Sequence, residues 1–469
     1  MSGQGTPTTR YGQLRAQLCG APHTIHVREP TRLPVPERLL QLIWQEQRLR
    51  RPLQTADGQQ LDVLFPGWWS GEAGPDFRHA ILRLNQRELR GDVEVHVHVA
   101  DWFQHKHDRD PRYANVVLHV VFWNEPPPRQ PLAAPVVVLA HQLETSLEDL
   151  RNELDAESTP ARAPACSRQC ARALRELPSA KVQQFLAEAG QDRLERKAYR
   201  FRERLKSVPV PQAFYEGWME ALGYKANKTG FRLLARRVPW WPESTVPVGD
   251  RAGVLFGVAG FLPVRRADSY TRALWSRWWR WRGEFEERTL PPTVWSLSGS
   301  RPTNHPHRRL GAATVLLEQR GDLWPACLRA IEARDDPAEL FMGLQDDYWS
   351  RHCTLGGRAV KQPTELIGRA RAEEIAINVV FPFALAVAGN NPTLAAEARN
   401  QFAQYPPSAP NSLLRRAVEH LLPDQSRALT AAAHQQGLLQ VFEDFCLNPT
   451  GPNGQCRLPE LVERWRQES

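Results

Sequence analysis

The sequence lacks an apolar segment that could cross a bilayer. A membrane-spanning helix needs about 18 or more consecutive apolar residues, and no such run occurs among the 469 residues. The first twenty residues, MSGQGTPTTRYGQLRAQLCG, also lack the apolar core of a secretory signal. We therefore expect a soluble, cytoplasmic protein with no membrane partner.

Lysine is scarce among the basic residues. Only 7 of the 60 basic side chains are lysine, and the other 53 are arginine. The formal net charge is +8, which leaves a surplus of cations. An arginine-rich composition often reflects a GC-rich genome, and this explanation is sufficient. The alternative is that the surplus faces a polyanion such as nucleic acid.

The spacing of the cysteines is too irregular to predict a disulfide framework. The chain has seven cysteines and no secretory signal, a combination that does not favour structural disulfides. Two pairs stand out, Cys166 with Cys170 and Cys446 with Cys456. Four thiolates form a structural zinc site if both pairs meet in space. Neither spacing is that of a zinc knuckle, which argues against this metal site.

Several motifs of common enzymes are absent. The chain contains no G-x4-G-K-[ST], no G-x-G-x-x-G after a predicted strand and no G-x-S-x-G. The first absence excludes a P-loop NTPase. The other two argue against a dinucleotide-binding Rossmann domain and against a serine hydrolase of the nucleophile-elbow type.

Patterning divides the chain into four parts. Residues 1–30 are predicted to form a flexible polar arm, and 31–150 an α+β domain. Residues 151–172 are small, polar and proline-containing, which predicts a linker. Residues 173–469 show helical periodicity and predict an all-α domain. In the α+β domain a helix at 36–50 precedes five predicted strands that form a mixed sheet: 61–65, 77–85, one within 88–102, 114–124 and 134–141.

The most informative segment is GDVEVHVHVADW at 91–102. Strand side chains alternate between the faces of a sheet, so the valines share one face and the polar residues share the other. That polar face carries Asp92, Glu94, His96 and His98. A solvated strand face is one explanation. The other is a metal or acid–base site, because carboxylate and imidazole groups titrate and bind metals.

Two further carboxylates are candidates for the same site. Asp76 opens the strand that is predicted to pair with residues 92–99, so a hairpin can bring it close to Glu94. Two carboxylates at one strand end make an oxygen-rich site for Mg²⁺ or Mn²⁺. Glu46 lies on the apolar stripe of the first helix, where a carboxylate is costly unless it is paired or bound to metal. The alternative for Glu46 is an edge position that reaches water.

Pro75-Asp76 and Glu94-Val95-His96, in the order helix, three strands, connection, strand, resemble the PD-(D/E)xK nuclease superfamily. The resemblance implies a restriction-endonuclease-like fold and phosphodiester hydrolysis of DNA or RNA with Mg²⁺ or Mn²⁺. Asp76 and Glu94 then hold the metal, and Glu46 matches the carboxylate of the first helix. His96 stands where the superfamily usually has Lys, and it becomes the base or water-positioning residue.

This departure at His96 leaves a second function open. A catalytically inactive nucleic-acid-binding or scaffold protein can retain the same fold. A second resemblance covers more of the chain and joins it to a bacterial family of unknown function. Its motifs are GPDF at 74–77, VEVH at 93–96, DW-x2-H-x-H at 101–107, Y-x-NVVLHVV at 113–121, RP-x-N at 301–304 and NVV-x-PF at 378–383.

Other polar residues are candidates for binding substrate or metal. His98, His105 and His107 can form a transition-metal site, or they can be hydrogen-bonding histidines at a hydrated edge. The candidates for substrate contact are His98, Trp102, His105, His107, Arg301 and Asn304. His119, within an apolar strand, is interpreted as a core histidine rather than a ligand, with a supporting contact to the site residues as the alternative. The tryptophans of WSRWWRW at 275–281 are interpreted as core residues, with base stacking as the alternative.

Overall fold

The computed structural model describes most of the chain. It covers residues 9–19, 35, 37–50, 52–70, 74–125, 134–144, 147, 150, 168–239, 246–262, 268–290, 292–297, 301–321, 323–423, 425–447 and 456–467. Within these ranges a mixed sheet is combined with a large helical region. None of the described helices has the length and apolar character that a membrane span needs.

The sheet has seven strands, whereas the sequence predicted five. The strands are β1 Leu53–Gln54, β2 Gln60–Phe65, β3 Trp68–Trp69, β4 Phe77–Leu84, β5 Arg87–His98, β6 Val116–Trp123 and β7 Val136–Val138. The two additional strands, β1 and β3, are two residues long, which is too short to show a period-two pattern. The five longer strands coincide with the predicted segments.

The sheet is mixed and almost closed. Its order is β1-β2-β4-β5-β6-β7, and β3 pairs with β4. Neighbours from β1 to β5 are antiparallel, whereas β5, β6 and β7 are parallel. A bridge between Thr55 and Val137 joins the two ends, so the sheet resembles a barrel. Gly91 permits the close approach of β5 and β6, because a Cβ there would stand 2.6 Å from the Asn115 carbonyl oxygen.

One helix covers the valine face of β5. Helix α2, Glu37–Glu46, places its apolar stripe, including Ile43 and Trp44, in one cluster with Val93 and Val95. This burial confirms that the valine face packs. The opposite face is also buried, since Glu94 is only 5% exposed and His96 only 1%. The solvated-face explanation of this strand is therefore wrong.

Part of the predicted flexible arm is a packed helix. Helix α1, Arg10–Cys19, buries Tyr11, Leu14 and Leu18. The Tyr11 hydroxyl donates a 2.8 Å hydrogen bond to Oδ2 of Asp444. The arm was predicted because the flanking residues are polar, and the partners that bury this helix lie more than 150 residues away in the sequence. Residues 1–8 and 20–30 of the arm lie outside the described residues.

The remaining helices form the C-terminal region. After the short α3, Asp101–Gln104, they are α4 Arg168–Arg175, α5 Ser179–Leu205, α6 Val210–Leu222, α7 Tyr224–Arg237, α8 Val248–Val258, α9 Ser269–Phe285, α10 Pro306–Arg320, α11 Leu323–Ala333, α12 Arg369–Ile375, α13 Phe381–Val387, α14 Pro392–Gln404, α15 Ser412–Leu421, α16 Ala432–Val441 and α17 Leu458–Gln467. Helix α4 begins inside the predicted linker 151–172, whose residues 151–167 are not described.

The sheet and the helical region share a core. Phe65 and Ile81 of the sheet belong to the same buried cluster as Trp218 and Phe231 of the helices. A second helical cluster contains α1, α4 and α17. The sheet region therefore packs on the helices through these residues, while the valine face of β5 belongs to a separate cluster made only of residues 35–150.

The tryptophan-rich helix α9 is only partly buried. Trp278 is packed in the main helical cluster, and Nε1 of Trp281 donates a 2.9 Å hydrogen bond to Asp250. Trp279 differs, because 59% of it is exposed. Trp275 and Trp281 are partly buried against the same cluster. Core packing therefore explains three of the four indoles and leaves Trp279 at the surface.

Candidate metal centre

The polar side chains of two parallel strands meet on one face of the sheet. Glu94 of β5 is in register with His119 of β6, and His96 follows two residues later on the same face as Glu94. His119 is fully buried. Nδ1 of His96 and Nε2 of His119 are 2.8 Å apart, a hydrogen-bonding distance. The register between the strands thus brings one carboxyl group and two imidazoles together.

The connection between β5 and β6 adds two more imidazoles. It contains α3 and two single turns of 3-10 helix, at His107–Arg109 and Pro111–Tyr113. Lys106 has a left-handed backbone with φ of 60°, which sharply turns the chain between His105 and His107. Both histidines consequently face His96, with ring centroids 5.0 and 5.1 Å away.

Potential ligand atoms of three histidines converge. Nitrogen atoms of His96, His105 and His107 all lie within 4.8 Å of one another. Nδ1 of His105 is 3.2 Å from Nε2 of His96. Oε1 of Glu94 lies 3.5 Å from Nε2 of His96 and 3.4 Å from Nε2 of His107. Four ligands at about 2.0–2.1 Å from a tetrahedral zinc ion stand about 3.3–3.4 Å apart, which is close to the three contacts of 3.2, 3.5 and 3.4 Å. Glu94 is not part of the group in which all ligand atoms lie within 4.8 Å of one another.

Burial favours the neutral forms of Glu94, His96 and His107. It raises the pKa of Glu94 to about 9, and the nearby Asp76 carboxylate adds to this rise. Burial, reinforced by the neighbouring imidazoles, lowers the pKa of His96 to about 2 and that of His107 to about 4. The contacts of Glu94 with these histidines are therefore not ordinary ion pairs. A divalent cation reverses this preference for the carboxylate, because it stabilises the charged form.

Two buried ring nitrogens of the cluster, Nε2 of His107 and Nδ1 of His119, lack a hydrogen-bond partner among the described residues. The separation of His107 Nε2 from Glu94 Oε1, 3.4 Å, is long for a hydrogen bond and close to the spacing of two ligands on one metal. Since buried polar atoms are usually satisfied, this nitrogen is best explained by a ligand that binds between the two residues.

Asp76 lies beside Glu94 but is held by other groups. Its backbone N–H donates to Oε2 of Glu94 at 2.9 Å. Its carboxylate accepts hydrogen bonds from Val95 N at 3.1 Å and from Nε2 of Gln41 at 2.8 Å. Asp76 thus extends the hydrogen bonding of β5 past the end of β4.

Helix α2, which carries Glu46, faces this site through other residues. Glu46 forms an ion pair with Arg232 of α7, so the helical region neutralises it. This pairing gives no support to the predicted role of Glu46 as a metal ligand. Gln41 reaches Asp76 instead, and Glu37 is close enough to Glu94 to raise its pKa. Sequence reasoning missed Glu37, although it lies one turn before Gln41.

His98 does not belong to the cluster, although it shares a strand face with His96. Its Nδ1 lies 2.8 Å from the backbone carbonyl oxygen of Glu125, and its backbone N–H is bound by Asp101. In the three-histidine group His96 takes the place that the sequence assigned to His98. Strand alternation alone does not show which of two neighbouring histidines is covered by the connection between β5 and β6.

Aromatic rings support the cluster from one side. Trp102 stands with its ring centroid 5.5 Å from that of His107 and 5.3 Å from that of His119. Tyr113, which sequence reasoning did not select as a site residue, stacks on His107 at 3.8 Å. Both rings orient the imidazoles, so the structure gives Trp102 a packing role beside its predicted substrate contact.

Arg301 and Asn304 lie in a segment that organises the helical region. Arg301 is exposed, and Oδ1 of Asn304 accepts a 2.7 Å hydrogen bond from Arg309. Arg308 is 1% exposed and donates to the carbonyl oxygens of several residues in the irregular segment 342–368. The engagement of Asn304 favours a structural role for this residue over its predicted contact with substrate.

A family model described as "Protein of unknown function (DUF2851)" matches residues 37–408. The chain belongs to this family. No curated protein and no solved structure matches the chain. The DUF2851 match confirms the predicted membership in a family of unknown function. The matched residues include the sheet, the histidine cluster and the Arg308 segment, so the candidate metal centre lies within the family region.

His119 sets the tautomer of His96 in the DUF2851 centre. A metal ligand must offer a lone pair, so for Nε2 of His96 to bind a cation its hydrogen must lie on Nδ1. That N–H then donates to Nε2 of His119, 2.8 Å away. Hydrogen bonds of this kind to the second ring nitrogen orient metal-binding histidines. Burial lowers the pKa of His119 to about 3, so its ring is neutral. Its Nε2 accepts in the tautomer that carries the hydrogen on Nδ1, a buried atom that has no hydrogen-bond partner among the described residues.

We predict that His119→Ala lowers affinity for Zn²⁺ or Mn²⁺ about 10- to 100-fold, measured by calorimetric titration. His119→Gln should restore part of the loss, because an amide oxygen can accept the same hydrogen bond. Val121→Ala on the same strand is the control for lost packing and should keep the wild-type affinity. Equal loss in the Val121 and His119 variants would show that His119 acts only through the core.

Proposed function

We propose that the protein is a divalent-metal-dependent hydrolase that cleaves phosphodiester bonds in nucleic acid. The observation that carries the proposal is the position of Glu94. Its Oε2 accepts from the Asp76 backbone, and its Oε1 faces the nitrogens of His96 and His107. One buried carboxyl group thus lies between a second carboxylate and a set of imidazoles, as in a site that binds a cation and activates water.

The order of elements supports the nuclease assignment. Helix α2 is followed by β2, β4 and β5, then by the α3 crossover and β6. Asp76 stands immediately before β4, and Glu94 lies in the adjacent β5. The PD-(D/E)xK resemblance rests on this order and on these two carboxylates. Here the residue two after the glutamate is a buried histidine in contact with two others.

The set of ligand atoms favours certain metals. Imidazole nitrogens suit Zn²⁺ and the later first-row metals, whereas Mn²⁺ and Mg²⁺ favour oxygen ligands and Mg²⁺ keeps several waters. The sequence pointed to Mg²⁺ or Mn²⁺, and of these Mn²⁺ agrees better with three histidines. Glu94, His96, His105 and His107 would hold the ion, with Asp76 beside them. A bound divalent ion would supply Lewis-acid polarisation of a phosphoryl oxygen and activation of water.

The chain's own residues supply orientation and charge. His119 fixes the ring of His96, and Tyr113 and Trp102 hold His107 and exclude water from one side. His96 is buried and its pKa is low, so it does not replace the positive charge of the superfamily's lysine. Nη2 of Arg78 lies beside Gly74, two residues before Asp76, where a cation can contact a phosphate backbone, whereas the guanidinium of Arg112 is paired with Asp110.

The test is cleavage of single- and double-stranded DNA and RNA by the full chain with Mg²⁺, Mn²⁺ or Zn²⁺. We expect metal-dependent cleavage that falls at least about 10-fold in Glu94→Gln, since this change removes the negative charge without changing the side chain's shape. Glu88→Gln is the matched control, because Glu88 is an exposed glutamate of the same strand. Equal activity of Glu94→Gln and the wild type would disprove the proposed centre.

A nucleic-acid-binding protein without cleavage is the second candidate, and one surface feature favours it. The guanidinium carbon of Arg282 lies 4.7 Å from the ring centroid of the exposed Trp279. Bases stack on aromatic and arginine groups of this kind. Salt-dependent binding of nucleic acid, without cleavage in any of the three metals, would establish this function in place of hydrolysis.

A further inference from the structure

Two cysteines that are far apart in the sequence meet in the second helical cluster. Cys170 lies in α4 and is fully buried, and Cys456 lies two residues before α17 and is half-buried. Their Sγ atoms are 2.8 Å apart, although 286 positions separate the residues. The fold therefore brings one buried thiol and one accessible thiol together.

The two sulfurs are close enough for a bond to form with little movement. A disulfide bond needs about 2.05 Å, so the sulfurs need to approach by less than about 1 Å. Two thiolates on a tetrahedral zinc ion stand about 3.8 Å apart, because each Zn–S bond is about 2.3 Å long, so a shared zinc ion is the alternative that the experiment must distinguish. Of the four cysteines considered for a zinc site, Cys166 lies outside the described residues.

We propose that Cys170 and Cys456 form a reversible disulfide by exchange with a small-molecule disulfide such as oxidised glutathione. The accessible Cys456 thiolate attacks the oxidant, forms a mixed disulfide and releases one glutathione thiol. The Cys170 thiolate then attacks the Cys456 sulfur and releases the second glutathione thiol. The two protein thiols lose two protons and two electrons, and the oxidant is reduced to two thiols.

The bond would fix the position of the N-terminal helix. Cys170, Leu174 and Trp465 belong to the same buried cluster as Tyr11 and Leu18 of α1. A disulfide would join α4 to the segment that leads into α17, so both sides of the α1 binding surface would be held together. Oxidation is thus expected to stabilise this three-helix contact, and it leaves the residues of the metal centre unchanged.

The test compares the full chain after oxidised glutathione with the chain after a dithiol reductant. We expect alkylatable thiols to fall from seven to five, with a Cys170–Cys456 peptide in the mass spectrum. The midpoint of thermal unfolding should rise by on the order of 5 °C, because the bond closes a long loop. This comparison needs no variant, so it does not depend on the folding of a mutant.

Variants then assign the effect to this pair. Cys456→Ser should abolish the shift, whereas Cys353→Ser, which removes another partly exposed thiol, should leave it unchanged. Seven alkylatable thiols after oxidation, or a crosslink to a different cysteine, would overturn the proposal. Stoichiometric zinc that is lost in Cys456→Ser would also overturn it, since the thiols would then be metal ligands.

Discussion

Replacement of His96 by alanine is expected to lower the affinity of the protein for Zn²⁺ or Mn²⁺ at least about 100-fold. The reason is the position of the ring, whose Nε2 is 3.2 Å from Nδ1 of His105 and 3.5 Å from Oε1 of Glu94. Removal of the imidazole takes away the group that contacts both the carboxyl group and the second histidine. Competition with a chelator, followed by metal analysis of the protein, measures the affinity.

The matched control is His98→Ala. His98 belongs to the same strand and the same face, but its ring nitrogen binds the carbonyl oxygen of Glu125. We expect His98→Ala to bind metal with an affinity within about 3-fold of the wild type, well inside the effect of losing a supporting contact. If the two variants lose the same affinity, or if neither loses any, the metal is not held by the group formed by His96, His105 and His107.

The second large effect is expected for Arg308→Met, which should lower the free energy of unfolding by roughly 3–5 kcal/mol. The Arg308 guanidinium is buried and donates to the carbonyl oxygens of His352 at 3.1 Å and Glu365 at 3.1 Å. It also binds the hydroxyl of Thr364 at 2.5 Å. Methionine fills the space but leaves these acceptors without donors. Denaturant titration of the full chain measures the difference.

Arg301→Met is the control for Arg308→Met. Arg301 belongs to the same RP-x-N segment but is exposed, so its replacement should change stability by less than about 0.5 kcal/mol. It also tests the predicted substrate contact, since Arg301→Met should then weaken nucleic-acid binding at unchanged stability. A stable Arg308→Met variant would show that the segment 342–368 holds its shape without this guanidinium.

The part of the candidate site that depends on local sequence periodicity could be predicted. A period of two places Glu94 and His96 on one face of β5, and the hairpin length places Asp76 next to Glu94. The separation of His96 from His98 could not be predicted, because the crossover between β5 and β6 determines which histidine it covers. The turn at Lys106, with φ of 60°, carries no signal in its own residue type.

Long-range partners explain the other differences. Glu46 lies on an apolar stripe, which predicted a metal or a partner, and the partner is Arg232 from nearly two hundred residues later. His119 was interpreted as a core histidine because its strand is apolar. It is buried, and the parallel register also brings its ring within hydrogen-bonding distance of His96. Neither pairing has a signature in a single sequence, since both depend on how distant elements dock.

The packing of α1 constrains the order in which the protein can fold during synthesis. The guanidinium of Arg10 donates to the carbonyl oxygen of Trp465, a residue 455 positions later. At the usual ribosomal rate of about 5–20 residues per second, roughly 20–90 s pass between the synthesis of these two residues. During this interval Tyr11 and Leu18 have no completed binding surface, because α17 does not yet exist. The first helix of the chain is therefore among the last to reach its place, and its apolar side chains are what a chaperone would meet on the nascent polypeptide.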